Sequence, residues 1–276
     1  MISECSYDER KGGVLVDLNL AGKTALVLAS SQGLGKAIAT ELVKEGTNVM
    51  LASRDDEKLQ KVQKELTTIG KGKVAFYPTD LTENEDIQQL IEETHKIFGK
   101  IDILINNTGG PPSGSFEDFS DEDWENAFHL NLLSYIRTIR AVLPDLKENG
   151  GKIINIASSS IKQPISNLIL SNTFRLGIVG LSKTLAEELG PYNILINTVA
   201  PGRIATDRIT TLDEITAKNK NVSMEEITKE AQEAIPLGRY GTPEEFAKFV
   251  TFLVSDVNTY VTGSSLIIDG GSIKAI

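Results

Sequence analysis

Apolar residues fall into short dense runs, separated by longer stretches with helical spacing. Thr24–Ala29 (TALVLA), Asn48–Ser53 (NVMLAS), Lys73–Tyr77 (KVAFY), Ile101–Asn106 (IDILIN), Lys152–Ala157 (KIINIA), Ile194–Ala200 (ILINTVA) and Ser265–Asp269 (SLIID) each predict a buried strand. Most are almost continuously apolar rather than alternating, as in a parallel sheet covered on both faces. Leu34–Glu45, Glu83–Phe98, Asp121–Lys147 and Phe174–Leu189 have the amphipathic spacing of helices. Strand and helix in alternation predict an α/β fold, a doubly wound seven-stranded parallel sheet with helices on both faces. No repeat, low-complexity tract or linker divides the chain, so one domain is expected over 19–276, with 1–18 as a mobile extension.

One segment breaks the rhythm. From Ile204 to Tyr240 the chain is charged and predicts no strand. Ser223 with Glu226 predicts a capping box opening a helix through Ala234, which Pro236 and Gly238 end. Thr242-Pro243-Glu244-Glu245 reads as the N-cap, N1 proline and N3 glutamate of the next helix. A connection this long in a compact domain is functional or disordered. Its place after the sixth strand suits a helical lid, at about 205–235, over a site at the carboxyl edge of the sheet.

The first strand run leads through Ala29-Ser30-Ser31-Gln32-Gly33-Leu34-Gly35 directly into a helix. Glycines at 33 and 35 allow close backbone approach to a phosphate, and the helix behind presents unpaired N–H groups and a positive dipole end. An ordinary glycine turn is the plainer alternative. Arg54 follows the second strand, where an arginine suits a ribose 2′-phosphate and an acid would suit a free 2′-hydroxyl. Asp55 and Asp56 come next and also fit a solvated helix start. Asp80 either meets an adenine edge or caps the following helix. Asn106-Asn107-Thr108-Gly109-Gly110 closes the fourth strand with the small residues that a closely approaching ligand requires, or simply as a strand-ending turn.

Composition narrows the partners. The chain has 276 residues and a formal net charge of -10, a field that repels nucleic acid and anionic membrane. Its single Cys, Cys5, excludes an internal disulfide framework and a cysteine metal cluster, and two His exclude a histidine-rich metal site. No apolar stretch approaches the ~18–20 residues of a membrane span, and the polar start is no secretory signal, so a cytoplasmic protein is expected.

Together these motifs resemble the short-chain dehydrogenase/reductase family, from about Leu20 to Gly271. The resemblance rests on the Gly33/Gly35 turn, Asp80, Asn106-Asn107-Thr108-Gly109, Asn131 in a long helix and Ser158 after the fifth strand. Pro201-Gly202 with Thr206, Pro236-Leu237-Gly238-Arg239 and Asp269-Gly270-Gly271 complete it. It implies a Rossmann-type sheet and hydride transfer between NAD(P) and a carbonyl/alcohol pair. Its nearest functional neighbours are reductases of the 3-oxoacyl carrier-protein type and small sugar or alcohol dehydrogenases. The substrate implied is a small-molecule or acyl-type carbonyl, and the cofactor NADP in preference to NAD. Cofactor contacts are implied for Ser31, Gln32, Gly33, Leu34, Gly35, Arg54, Asp80, Leu81, Asn107, Gly109, Pro201 and Gly202. Ile204 would meet the nicotinamide amide through its backbone, and Thr206 the pyrophosphate. The resemblance also implies a homotetramer with the Asp121–Lys147 and Phe174–Leu189 helices at an interface.

The departures concern chemistry. The family's first turn glycine falls on Ala29, and its NNAG reads NNTGG here. Aligning Leu176–Leu189 on the family's active-site helix places its catalytic Tyr at Ser171 and its Lys at Arg175. Ser158, thirteen residues before Ser171, supports that register. A serine hydroxyl donates a hydrogen bond but is a poor proton source, and a guanidinium does not release its proton. The expected catalytic set is therefore Asn131 organising water, Ser158 and Ser171 polarising the oxygen, and Arg175 holding the ribose. Tyr135, one turn beyond Asn131, and Lys162 are candidates for a relocated acid, and Asn172 for a substrate contact. A non-catalytic NADP-binding module on the same fold is the alternative.

Overall fold

Dense β-branched and leucine runs form the strands because both sheet faces are covered; the central runs are buried almost throughout, the edge runs 74–78 and 265–268 only in part. The structure, a computed structural model, describes residues 6–8 and 13–275. A small antiparallel pair, β1 (Ser6–Asp8) and β2 (Gly13–Leu15), precedes the domain. Cys5 and half of the expected mobile extension, residues 1–5 and 9–12, lie outside the described residues.

Seven parallel strands follow: β3 (Thr24–Leu28), β4 (Asn48–Ser53), β5 (Val74–Pro78), β6 (Ile103–Asn106), β7 (Gly151–Ile156), β8 (Ile194–Pro201) and β9 (Ser265–Ile268). Their order is β5-β4-β3-β6-β7-β8-β9, so the winding reverses between β3 and β6. The carboxyl ends of that pair form the crevice where such sheets bind ligands. All seven expected strands are present, and the sheet is doubly wound as read from the sequence.

Alternate strand residues serve two cores. Ala25 and Val27 pack with Ile38 and Leu42 of α1 (Gly33–Lys44) and with Phe246 and Val250 of α9 (Pro243–Val254). Leu26 and Leu28 pack with Leu90 of α3 (Asn84–Phe98) and Val142 of α5 (Ser134–Asn149). Between β4 and β5 lies α2 (Asp56–Ile69). The helix expected over Asp121–Lys147 is not uniform. It comprises α4 (Asp121–Phe128), one π turn at His129–Leu133, and α5. The helix expected from Phe174 starts five residues earlier, as α6 (Ile169–Leu189). This puts Ser171 in its first turn.

The lid segment is helical, comprising α7 (Asp207–Lys220) and α8 (Met224–Glu233). The Ser223/Glu226 capping box opens α8, and Thr242/Glu245 opens α9 with Pro243 in its first turn. Asp213 fastens α7 to the body. It accepts from Arg203 Nη1 and from the Tyr240 hydroxyl at 2.8 Å, so its buried carboxylate fixes α7 through charge-assisted bonds.

Candidate active site

A cavity of about 930 Å³ opens at the carboxyl ends of β3, β4, β6, β7 and β8. Its floor at one end is the turn into α1. Gly33 has φ +56, and Ala29 has φ +47, a left-handed conformation that the glycine of the related motif adopts without strain. Gly35 has no room for a side chain: a Cβ there would lie 2.3 Å from the Ala29 carbonyl oxygen. The turn and helix start are thus wrapped tightly enough to expose the first amides of α1 to the cavity. Thr206 faces this turn from the start of α7, where it is the N-cap residue, and its hydroxyl donates to the Ile204 carbonyl at 3.3 Å.

Beyond the turn lie Arg54 and Lys58. Asp55, next to Arg54 in sequence, also lines the cavity and pairs with Lys58 Nζ at 3.3 Å. It is the N-cap of α2, accepts from the Lys58 amide at 3.0 Å, and is held below its ordinary carboxyl range first by that bond. Asp80 does not cap α3, whose N-cap is Glu83. It lines the cavity, and its Oδ1 accepts from the Thr82 amide and hydroxyl. Leu81, Gly109, Pro201, Gly202 and Ile204 also line the cavity, as do Ser31, Gln32 and Leu34. Asn107 lines it while donating from Nδ2 to the carbonyls of Leu28 and Ala29, which ties β6 to the β3 turn.

Ser158, Ser171 and Arg175 meet at the other end. Ser158 Oγ accepts from the Ser160 amide at 3.2 Å, which leaves its own O–H free to donate into the cavity. Ser171 sits on the first turn of α6, at the positive end of the helix dipole, and its hydroxyl has no partner among the described residues. Arg175, one turn on, is buried. Its Nη1 donates to the Tyr135 hydroxyl at 2.9 Å and the Ile156 carbonyl at 2.8 Å. Its Nη2 donates to Asn131 Oδ1 at 3.2 Å and reaches Thr108 Oγ1 at 3.5 Å. Four neutral acceptors surround the cation, with no carboxylate among them. Only Nε–H is left for a ligand.

Several expectations change. Tyr135 is no relocated acid: it is fully buried, does not line the cavity, and its hydroxyl donates to the Ile156 carbonyl at 2.7 Å while receiving Arg175. Lys162 is exposed in its loop and does not line the cavity. Asn172 turns from the cavity and clamps Ile165, accepting from its amide at 3.2 Å and donating to its carbonyl at 2.9 Å. Asn131 is placed inward by the π turn and lies behind Thr108 and Arg175. Its oxygen accepts from Arg175 and its Nδ2 donates to the Ala127 carbonyl, so its side chain braces Arg175 from behind.

Three contributors escaped the sequence reading. Lys58 stands beside Arg54, and its signal was its place one turn into the helix after the arginine. Thr108 bonds Asn131 at 3.4 Å, and its signal was the threonine in NNTGG. Arg208 of α7 lines the cavity from the lid and donates to the Pro111 carbonyl at 2.7 Å. Nothing distinguished it among the charges of that segment.

The fold and this crevice define a nucleotide-binding doubly wound α/β protein. Residues 28–272 match the family model described as enoyl-(acyl carrier protein) reductase. The 3-oxoacyl-[acyl-carrier-protein] reductase FabG of Aquifex aeolicus is 34% identical over 257 residues, covering 93% of this chain and 99% of that protein. The NADPH-dependent reductase BacG of Bacillus subtilis is 30% identical over 259 residues, 93% of this chain and all of that one (100%). The crystal structure of L-sorbose reductase from Gluconobacter frateurii, complexed with NADPH and L-sorbose, superposes with a TM-score of 0.90 at 30% identity, covering 95% of this chain and 100% of that one. The chain belongs to the short-chain dehydrogenase/reductase family. Among the described residues no helix is long and apolar enough to cross a membrane, and no group of His, Cys, Asp and Glu is arranged to hold a metal.

Proposed function

We propose that this protein is an NADP(H)-dependent oxidoreductase that interconverts a carbonyl and an alcohol on a small or acyl-type substrate. In this reading Ser171 and Arg175 stand in for the family's Tyr and Lys. One observation carries it: a single cavity joins the phosphate-binding turn to the cluster of Ser158, Ser171 and Arg175. The residues fit the dinucleotide. The turn around Gly35 is a cradle that a Cβ would fill, and Arg54 and Lys58 offer two cations at the far end for a 2′-phosphate. Both FabG-type and sorbose-type reductases named above support the activity, and the latter was seen with NADPH. A tetramer built on α4–α5 and α6 belongs to the same reading; Leu176 of α6 remains 49% exposed for such a contact.

When bound, NADPH supplies the hydride that reaches the carbonyl carbon. The chain's own residues act on the oxygen. Ser158 and Ser171 donate hydrogen bonds to it, and the charge of Arg175 with the α6 dipole stabilises the negative charge that develops. The proton comes from water, because the hydroxyls are poor acids and the guanidinium retains its protons. Missing general-acid help typically costs ~10²–10⁴ in rate, so turnover slower than in tyrosine-bearing relatives is expected.

No Tyr, His or Cys lines the cavity among the described residues, and this favours a second reading, a nucleotide-binding module without turnover. Two measurements bear on the proposal. Arg54→Ala is expected to weaken NADPH binding about tenfold or more in a fluorescence titration, and NADH binding much less; equal losses would remove Arg54 from the 2′-phosphate. Ser158→Ala is expected to lower kcat for NADPH-dependent reduction by about 10²–10³ with NADPH affinity unchanged. An unaltered kcat would exclude Ser158 from the oxyanion site.

A further inference from the structure

Two arginines share the reacting end of the cavity, and neither has a carboxylate partner. Arg175 is satisfied by neutral acceptors. Arg208 reaches across from α7 and lies flat against the loop after β6. A Cβ on Gly110 would stand 3.1 Å from its Nε and 3.1 Å from its Nη2. The second glycine of NNTGG therefore has a structural reason: it makes room for this guanidinium. Only one of the five N–H groups of Arg208 is engaged, by the Pro111 carbonyl. Contact with this loop desolvates Arg208, and Arg175 adds like charge; both effects, in that order, hold its pKa below the usual arginine value. The acidic residues of the lining offer it no relief. Asp55 caps α2, Asp80 is bonded to Thr82, and Asp207 opens α7 without pairing either arginine. Desolvated positive charge facing open donors is the arrangement that a planar anion satisfies.

We infer that the substrate carries an anionic group, a carboxylate or phosphate, beside the reacting carbonyl, and that Arg208 is the specificity residue that receives it across the lid. The inference rests on the reductase reading above and names its substrate class. α7 already touches loop 108–116 through Arg208, so the anion is received where these two segments meet over the cavity. Neutral ketones of equal size fill the same space but leave the Arg208 donors unpaired.

The test uses the full chain saturated with NADP⁺. Binding of 2-oxo and 3-oxo acids, and of their methyl esters as neutral controls, is measured by calorimetry in the wild type, Arg208→Gln and Arg208→Lys. The wild type is expected to prefer the acid over its ester by about tenfold or more. Arg208→Gln should bring that ratio close to one without changing NADP⁺ affinity, and Arg208→Lys should keep part of it. Equal binding of acid and ester by the wild type overturns the inference while leaving the reductase reading intact. So does an Arg208→Gln variant that loses NADP⁺ affinity and keeps the acid preference, which would assign Arg208 to the cofactor's pyrophosphate. A wild type that binds no NADP⁺ overturns both.

Discussion

Replacing Arg175 by Met is expected to abolish most turnover while leaving the folded state as stable as the wild type, or more so. Arg175 is only 4% exposed and no carboxylate neutralises its guanidinium. A buried charge without a counter-ion carries a large desolvation cost, and an apolar side chain of similar length removes it. The bonds left behind are covered. The Ile156 carbonyl keeps the Tyr135 hydroxyl at 2.7 Å, and Asn131 Oδ1 keeps Thr108 at 3.4 Å. Thermal unfolding should therefore show an unchanged or raised Tm. The oxyanion loses the positive charge that Arg175 is proposed to supply, and kcat should fall by about 10²–10³. A Tm lowered by many degrees with turnover intact would make Arg175 a structural residue and return the chemistry to the serines alone.

Gly35→Val is expected to eliminate nucleotide binding. The Cβ would meet backbone at every near contact: 2.3 Å to the Ala29 oxygen, 2.8 Å to the Ala29 carbonyl carbon and 2.9 Å to Ser30 Cα. Backbone cannot swing aside as a side chain can, so the turn between β3 and α1 must open. The first amides of α1 then no longer converge on one phosphate. NADPH affinity should drop by about 100-fold or more, roughly 2.7 kcal/mol, in a fluorescence titration. Circular dichroism should remain that of a folded α/β protein, because α1 stays packed through Ile38, Leu42 and Val43. Affinity within threefold of the wild type would show that this turn is not the phosphate cradle.

The sheet was legible because its signal is local. Runs such as TALVLA and ILINTVA are apolar at nearly every position, and only a two-sided parallel strand accommodates that. The nucleotide end was legible for the same reason, since turn, glycines and helix start lie within seven consecutive residues, 29–35. The reacting end was not. The bond between Arg175 and Tyr135 joins residues 40 apart in sequence, and the inward turn of Asn131 depends on a π turn that apolar spacing does not announce. Tyr135 therefore read as a possible acid, although it is the residue that holds Arg175. Asn172 sits beside Ser171, yet its side chain serves the loop behind it, because neighbouring helix positions point about 100° apart. Gly110 and Arg208 each have an ordinary sequence context, and their meaning appears only when lid and loop touch.

The central claim is that this site completes hydride transfer without a tyrosine acid. Oxidation of NADPH, followed at its absorbance, tests it most directly, with a panel of ketones, aldehydes, oxo acids and 3-oxoacyl thioesters. Slow but measurable consumption by the wild type is expected on at least one carbonyl, lowered about 10²–10³-fold in Ser158→Ala. NADPH that is bound tightly yet consumed with no member of the panel, with consumption appearing on that same panel only in the Ser171→Tyr/Arg175→Lys variant, would contradict it. The protein would then be a nucleotide-binding module on a reductase fold.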